Sequence, residues 1–133
     1  MAALSGDASR GDQWPTYGND PGGARYSPLA QIDRSNVGRL QIAWTNRTGE
    51  SGGAPAYAHT ACEATPILVD GTLFVSTPYN RVIGLVPETG TERWVFEPKV
   101  DRTRRLAIVT SRGVSTWLDP AAVPGTACRR RIY

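Results

Sequence analysis

Pro66-Ile67-Leu68-Val69-Asp70-Gly71-Thr72-Leu73-Phe74-Val75-Ser76 is two short β-rich runs joined by Asp-Gly. That dipeptide between such runs is the strongest short-range hairpin signal, because a type I′ turn needs positive φ at both central positions. The pattern continues on the C-terminal side. Pro78-Tyr79-Asn80 supplies a second turn, and Arg81-Val82-Ile83-Gly84-Leu85-Val86 a third strand. Pro87-Glu88-Thr89-Gly90 is a turn with proline first and glycine last, and Glu92-Arg93-Trp94-Val95-Phe96 is a fourth strand. Residues 64–97 therefore read as one antiparallel meander of four strands, the unit from which propellers are built. The expected fold class is all-β.

The remainder of the chain is consistent with that class. It has 133 residues, among them 14 Gly and 10 Pro, a density of breakers that a helix bundle does not tolerate. No apolar run is long enough to form a membrane-spanning helix, and the N-terminus has no basic start followed by an apolar core, so no signal peptide is readable. Residues 1–13 are small and polar, and disorder is expected there. Trp14 to Leu29 holds turn residues and aromatics without a helical period, an ordered irregular segment. Asp33 to Leu40 suits one short helical turn. Leu40 to Thr48, with Ile42 and Trp44, reads as a strand, and 50–60 as a loop. Leu106 to Thr110 is apolar and β-branched, 119–126 is a Pro/Gly loop, and Arg130 to Tyr133 is a strand-like run on which the chain stops inside an element.

Charge is uneven. Residues 1–98 carry seven Arg, no Lys and ten carboxylates, net −3, whereas 99–133 carry Lys99 and seven Arg against Asp101 and Asp119, net +6. The basic part has no aromatic interleaving beyond Trp117 and no nucleic-acid motif, so a nucleic-acid partner is not expected. Cys62 and Cys128 have no metal-ligand spacing, and two reduced thiols are favoured over a disulfide. His59 is the single histidine, and a metal role is not expected of it.

Four segments, in order, resemble the quinoprotein dehydrogenases, enzymes that use pyrroloquinoline quinone (PQQ). The first is Trp14-Pro15-Thr16-Tyr17-Gly18 with Arg25-Tyr26-Ser27-Pro28-Leu29 and Asn36-Val37-Gly38-Arg39-Leu40. The second is Cys62-Glu63-Ala64-Thr65-Pro66 running into Val69 to Val75. The third is Asn80 to Leu85 with Glu88-Thr89-Gly90 and Trp94. The fourth is Thr110-Ser111-Arg112-Gly113-Val114-Ser115, with Cys128 to Ile132 behind it. The resemblance covers residues 14–133.

The resemblance implies an eight-bladed β-propeller, of which this chain supplies one full blade and partial neighbours. The third segment is similar to the family's tryptophan-docking motif, with Gly84, Thr89, Gly90 and Trp94 at matching positions. A flat indole buries a large apolar area between stacked sheets, and a small residue at 84 leaves room for it. The motif usually has an acid where this chain has Val86, so a side chain–backbone tie is expected to be missing at that turn.

The resemblance also implies two cofactor contacts. Glu63 matches the glutamate that hydrogen-bonds the quinone cofactor. Arg112 matches the arginine that contacts it, and a planar guanidinium suits the carboxylates of PQQ. Arg104, Arg105 and Arg129 to Arg131 have no such match and are read as solvated charge. The alcohol-oxidising branch carries adjacent cysteines where this chain has Leu106-Ala107. With the Ser-Arg-Gly-Val-Ser wording, this points to the glucose or sugar branch, with another polyol or alcohol as the alternative.

The family's chemistry is hydride transfer from an alcohol or sugar C–H to the quinone, with an aspartate base and a calcium ion as Lewis acid. Its electrons pass to a respiratory quinone or cytochrome, and its location is periplasmic. No base and no calcium ligand is assignable within these residues. One blade and two partial ones cannot close a propeller, so the expectation is an N-terminal fragment, inactive alone. A non-catalytic β-repeat scaffold or binding module is the reading from a different class. Glu63 and Arg112 together disfavour it, since a scaffold needs no carboxylate-binding arginine there.

Overall fold

The computed structural model describes residues 13–50, 60–101 and 108–133. Among them are eight strands, one 3-10 turn at Val37–Arg39 and no α-helix, as the all-β reading requires. The expected disorder at 1–12, the loop at 51–59, His59, Arg104, Arg105 and Leu106-Ala107 lie outside the described residues.

Strands β1 (Thr60–Thr65), β2 (Ile67–Val69), β3 (Thr72–Ser76), β4 (Val82–Leu85) and β5 (Glu92–Phe96) are followed by β6 (Val109–Gly113), β7 (Thr116–Leu118) and β8 (Arg130–Ile132). The central sheet is the expected meander, β2-β3-β4-β5, antiparallel throughout. Its first turn has φ 48° at Asp70 and 66° at Gly71, positive at both centres as Asp-Gly demands. Alternation on β3 buries Thr72, Phe74 and Ser76 and leaves Leu73 and Val75 half-buried. Ile67, Val69 and Phe74 form the core cluster, with Val82, Val114 and Ile132 packed against it. Trp14 adds one antiparallel bridge to the outer edge of β2 through paired backbone bonds with Leu68 of 2.8 and 2.9 Å. At the opposite edge, all five residues of β5 are exposed.

Trp94 crosses the sheet toward Gly84, its partner on β4. A Cβ at Gly84 would sit 2.9 Å from Trp94 Nε1, so only glycine admits the indole at this height. The turn before β5 is closed without any help from the Val86 side chain. Gly90 N–H donates to Val86 O at 2.8 Å, Val86 N–H donates to Thr91 O at 2.8 Å, and Thr89 Oγ1 donates to Thr91 Oγ1 at 2.8 Å.

Three expectations need correction. Leu40–Thr48 is not a strand: it has no ladder partner among the described residues, and Ile42 is almost wholly exposed. Alternation alone does not make a strand when no neighbour supplies hydrogen bonds. Trp44 instead lies on the Pro87–Gly90 turn and donates its indole N–H to Pro87 O at 2.8 Å. Second, the Arg129–Arg131 run is not simply solvated charge. Arg130 grips the Asp70 carboxylate through two nitrogens, at 2.9 and 3.3 Å. Arg129 Nε donates to Ala122 O, and the Arg131 guanidinium lies over the Trp117 ring. Arg130 thereby ties β8 to the first hairpin turn, a contact that spans 60 positions and that a charge count does not reveal. Third, the C-terminal region holds a strand that composition did not signal, β7, paired antiparallel with β8.

Candidate functional site

Glu63 and Arg112 come together because β1 and β6 pair in parallel. Thr60 faces Val109, Ala61 faces Thr110, and Cys62 faces Ser111. The next aligned pair is Thr65 with Gly113, so β1 carries one residue more than β6 between the two points. This is a bulge, and bulges re-aim side chains. Its effect is visible in the burial: Cys62 and Glu63 are exposed in succession, where a regular strand would alternate.

Arg112 sits opposite the bulge. Its Nε lies 3.5 Å from Glu63 Oε2, with the arginine side chain 86% and the glutamate side chain 52% exposed. An ion pair this open contributes little to stability. Its worth is chemical: it presents a guanidinium fork to solvent with one nitrogen steadied by a carboxylate. A fork of that kind receives a carboxylate ligand through two parallel hydrogen bonds. The donor set therefore suits a ligand that carries carboxylates.

The other residues singled out from sequence fall elsewhere. Cys62 and Cys128 are free and exposed thiols. Among the described residues, no three His, Cys, Asp or Glu side chains gather as a metal site. No helix among them is long and apolar enough to cross a membrane.

Sequence reasoning missed a buried charge cluster elsewhere in the fold. Glu50 accepts from Tyr79 N–H at 3.2 Å and lies 3.4 Å from Arg81 NH1. Arg81 also donates to Thr48 O at 3.0 Å and meets Glu97 at 3.0 Å through Nε. That last approach is close but misaligned for a hydrogen bond, so Arg81 Nε is held by charge. Glu50 lies before the 51–59 segment and Arg81 within the blade, so nothing local in the sequence links them.

A four-stranded antiparallel blade, flanked by partial sheets and bearing a charged edge on a parallel pair, defines a portion of a β-propeller. The chain belongs to the family described as PQQ glucose/ethanol/alcohol dehydrogenase, β-propeller domain, whose model matches residues 14–133. It is 34% identical over 131 residues to quinoprotein glucose dehydrogenase A of Acinetobacter calcoaceticus, a match that spans 90% of this chain and 16% of that protein. It is 34% identical over 117 residues to the quinohemoprotein alcohol dehydrogenase of Comamonas testosteroni, covering 86% of this chain and 15% of the relative. The crystal structure of quinohemoprotein alcohol dehydrogenase from that organism superposes with a TM-score of 0.64 at 32% identity, over 83% of this chain and 16% of the other. The chain thus spans about a sixth of the length of these relatives.

Proposed function

We propose that this chain forms the N-terminal part of a PQQ-dependent dehydrogenase that oxidises a sugar, glucose or a close relative, with a simple alcohol as the second candidate substrate. The observation that carries the reading is the Glu63–Arg112 pair on the exposed edge of β1 and β6. PQQ, when bound, supplies the acceptor for a hydride from a CH–OH carbon. Arg112 binds a cofactor carboxylate with its fork, and Glu63 steadies that fork while accepting a hydrogen bond from the cofactor. A calcium ion would supply a Lewis acid at such a site, and the described residues bring together no group of ligands for it.

In this reading, Trp94 docks against a neighbouring blade, as Trp44 does on the Gly90 turn within this chain. Its outer face is open here, and β5 offers Val95 and Phe96 beside it. The compartment is periplasmic, and the electrons pass on to a respiratory quinone or a cytochrome.

The test is titration of the purified apo protein with PQQ in calcium buffer, followed by tryptophan fluorescence. Arg112→Ala is expected to weaken PQQ by about tenfold to a hundredfold, the usual worth of a charge-assisted hydrogen bond. Unchanged affinity would overturn the assignment. The 133-residue chain alone is expected to show no dye-linked glucose oxidation, and robust turnover by it would sink the view that further blades complete the site.

A further inference from the structure

Arg112 takes its direction from β6, and a buried hydrogen bond joins β6 to the central sheet. Ser76 and Ser111 are 3% and 9% exposed, and their Oγ atoms lie 2.7 Å apart. The bond crosses from β3 to β6. A buried hydroxyl is costly unless it is paired, and here one serine donates to the other.

Successive strand residues point to opposite faces, so Ser111 turns inward where Arg112 turns out, and the burial of β6 follows that alternation. Ser111 Oγ also accepts a long hydrogen bond from Gly113 N–H, at 3.5 Å. Gly113 holds φ +129°, and a Cβ there would press on Thr65 O at 3.3 Å. The backbone of Arg112 is therefore held between a fixed hydroxyl before it and a glycine-only geometry after it.

We propose that the Ser76–Ser111 hydroxyl pair is a positioning device for Arg112, setting the height and angle at which the guanidinium meets a cofactor carboxylate; this rests on the cofactor reading of the Glu63–Arg112 edge. Neither serine touches the ligand. Both act through Arg112, by fixing β6 against β3. Thr110 offers a contrast within the same strand, because its Oγ1 donates to Ala61 O at 3.0 Å and ties β6 to β1 instead.

The test titrates the purified apo protein with PQQ in calcium buffer and records a thermal melt for each variant. Ser111→Ala and Ser76→Ala are expected to weaken PQQ about fivefold to tenfold. Ser111→Thr, which keeps a hydroxyl, restores most of that affinity. Thr89→Val, which removes a hydroxyl contact in the turn before β5, lowers the melting temperature but leaves PQQ affinity unchanged. In an Arg112→Ala background, Ser111→Ala has no further effect, because residues that act as a unit are not additive.

Full additivity in that double variant overturns the proposal. So does unchanged affinity in both serine variants while Arg112→Ala weakens binding. If Arg112→Ala itself binds PQQ normally, the cofactor reading fails and the positioning role fails with it. Should Ser111→Ala not fold, Ser76→Ala decides the matter, since it leaves β6 itself unaltered.

Discussion

Gly90→Ala is expected to destabilise the protein by about 3 kcal/mol, a severe loss for one methyl group. Two costs combine. Gly90 has φ +68°, where an L-residue is strained. A Cβ there would also stand 2.4 Å from Trp44 Cε3 and 2.5 Å from Cδ2, so the indole must leave the turn. Its departure breaks the bond from Trp44 Nε1 to Pro87 O. Gly71→Ala isolates the first cost. Gly71 has φ +66° but nothing within 4 Å of the added carbon, so about 1 kcal/mol is expected. Urea denaturation followed by tryptophan fluorescence measures both. Equal losses in the two variants would show that Trp44 does not bear on the turn.

Glu50→Ala is expected to cost about 3 kcal/mol, the lower part of the range for breaking a buried ion pair. The Glu50 side chain is only 2% exposed, and its removal strips both a partner from Arg81 and an acceptor from Tyr79 N–H. Glu97 remains beside Arg81 Nε and limits the damage. The double variant Glu50→Leu/Arg81→Met is expected to recover only part of the loss, because the unpaired charge is gone but Tyr79 N–H still lacks the Glu50 acceptor. Denaturant midpoints decide between the outcomes. A single variant within about 0.5 kcal/mol of the parent would mean that the pair is not stabilising, as for an ordinary surface position.

The blade was legible because its information is local. Asp70-Gly71 and Pro87–Gly90 specify their turns within a few residues, and the strands between them pair with their sequence neighbours. The misreading of Leu40–Thr48 has the converse cause: Ile42 and Trp44 alternate correctly, but whether an extended segment joins a ladder depends on a partner elsewhere. The candidate site was legible only as two separate residues. Glu63 and Arg112 each stand in a recognisable segment, whereas their meeting depends on a parallel pairing across the whole blade and on a bulge. The hydroxyl pair and the Glu50–Arg81 pair were invisible for the same reason, since Ser, Glu and Arg are ordinary surface residues until a fold buries them.

The parallel pairing of β1 with β6 also sets an order of events. Every ladder of the central sheet can form while residues up to Phe96 are available, but the Glu63–Arg112 edge requires β6, made later and closing a long loop. Closing that loop over an unformed meander costs chain entropy that no sheet contacts yet offset. The charged edge is therefore expected to assemble after the meander. A ligand that needs both side chains then meets them only on chains whose four inner strands are already in register.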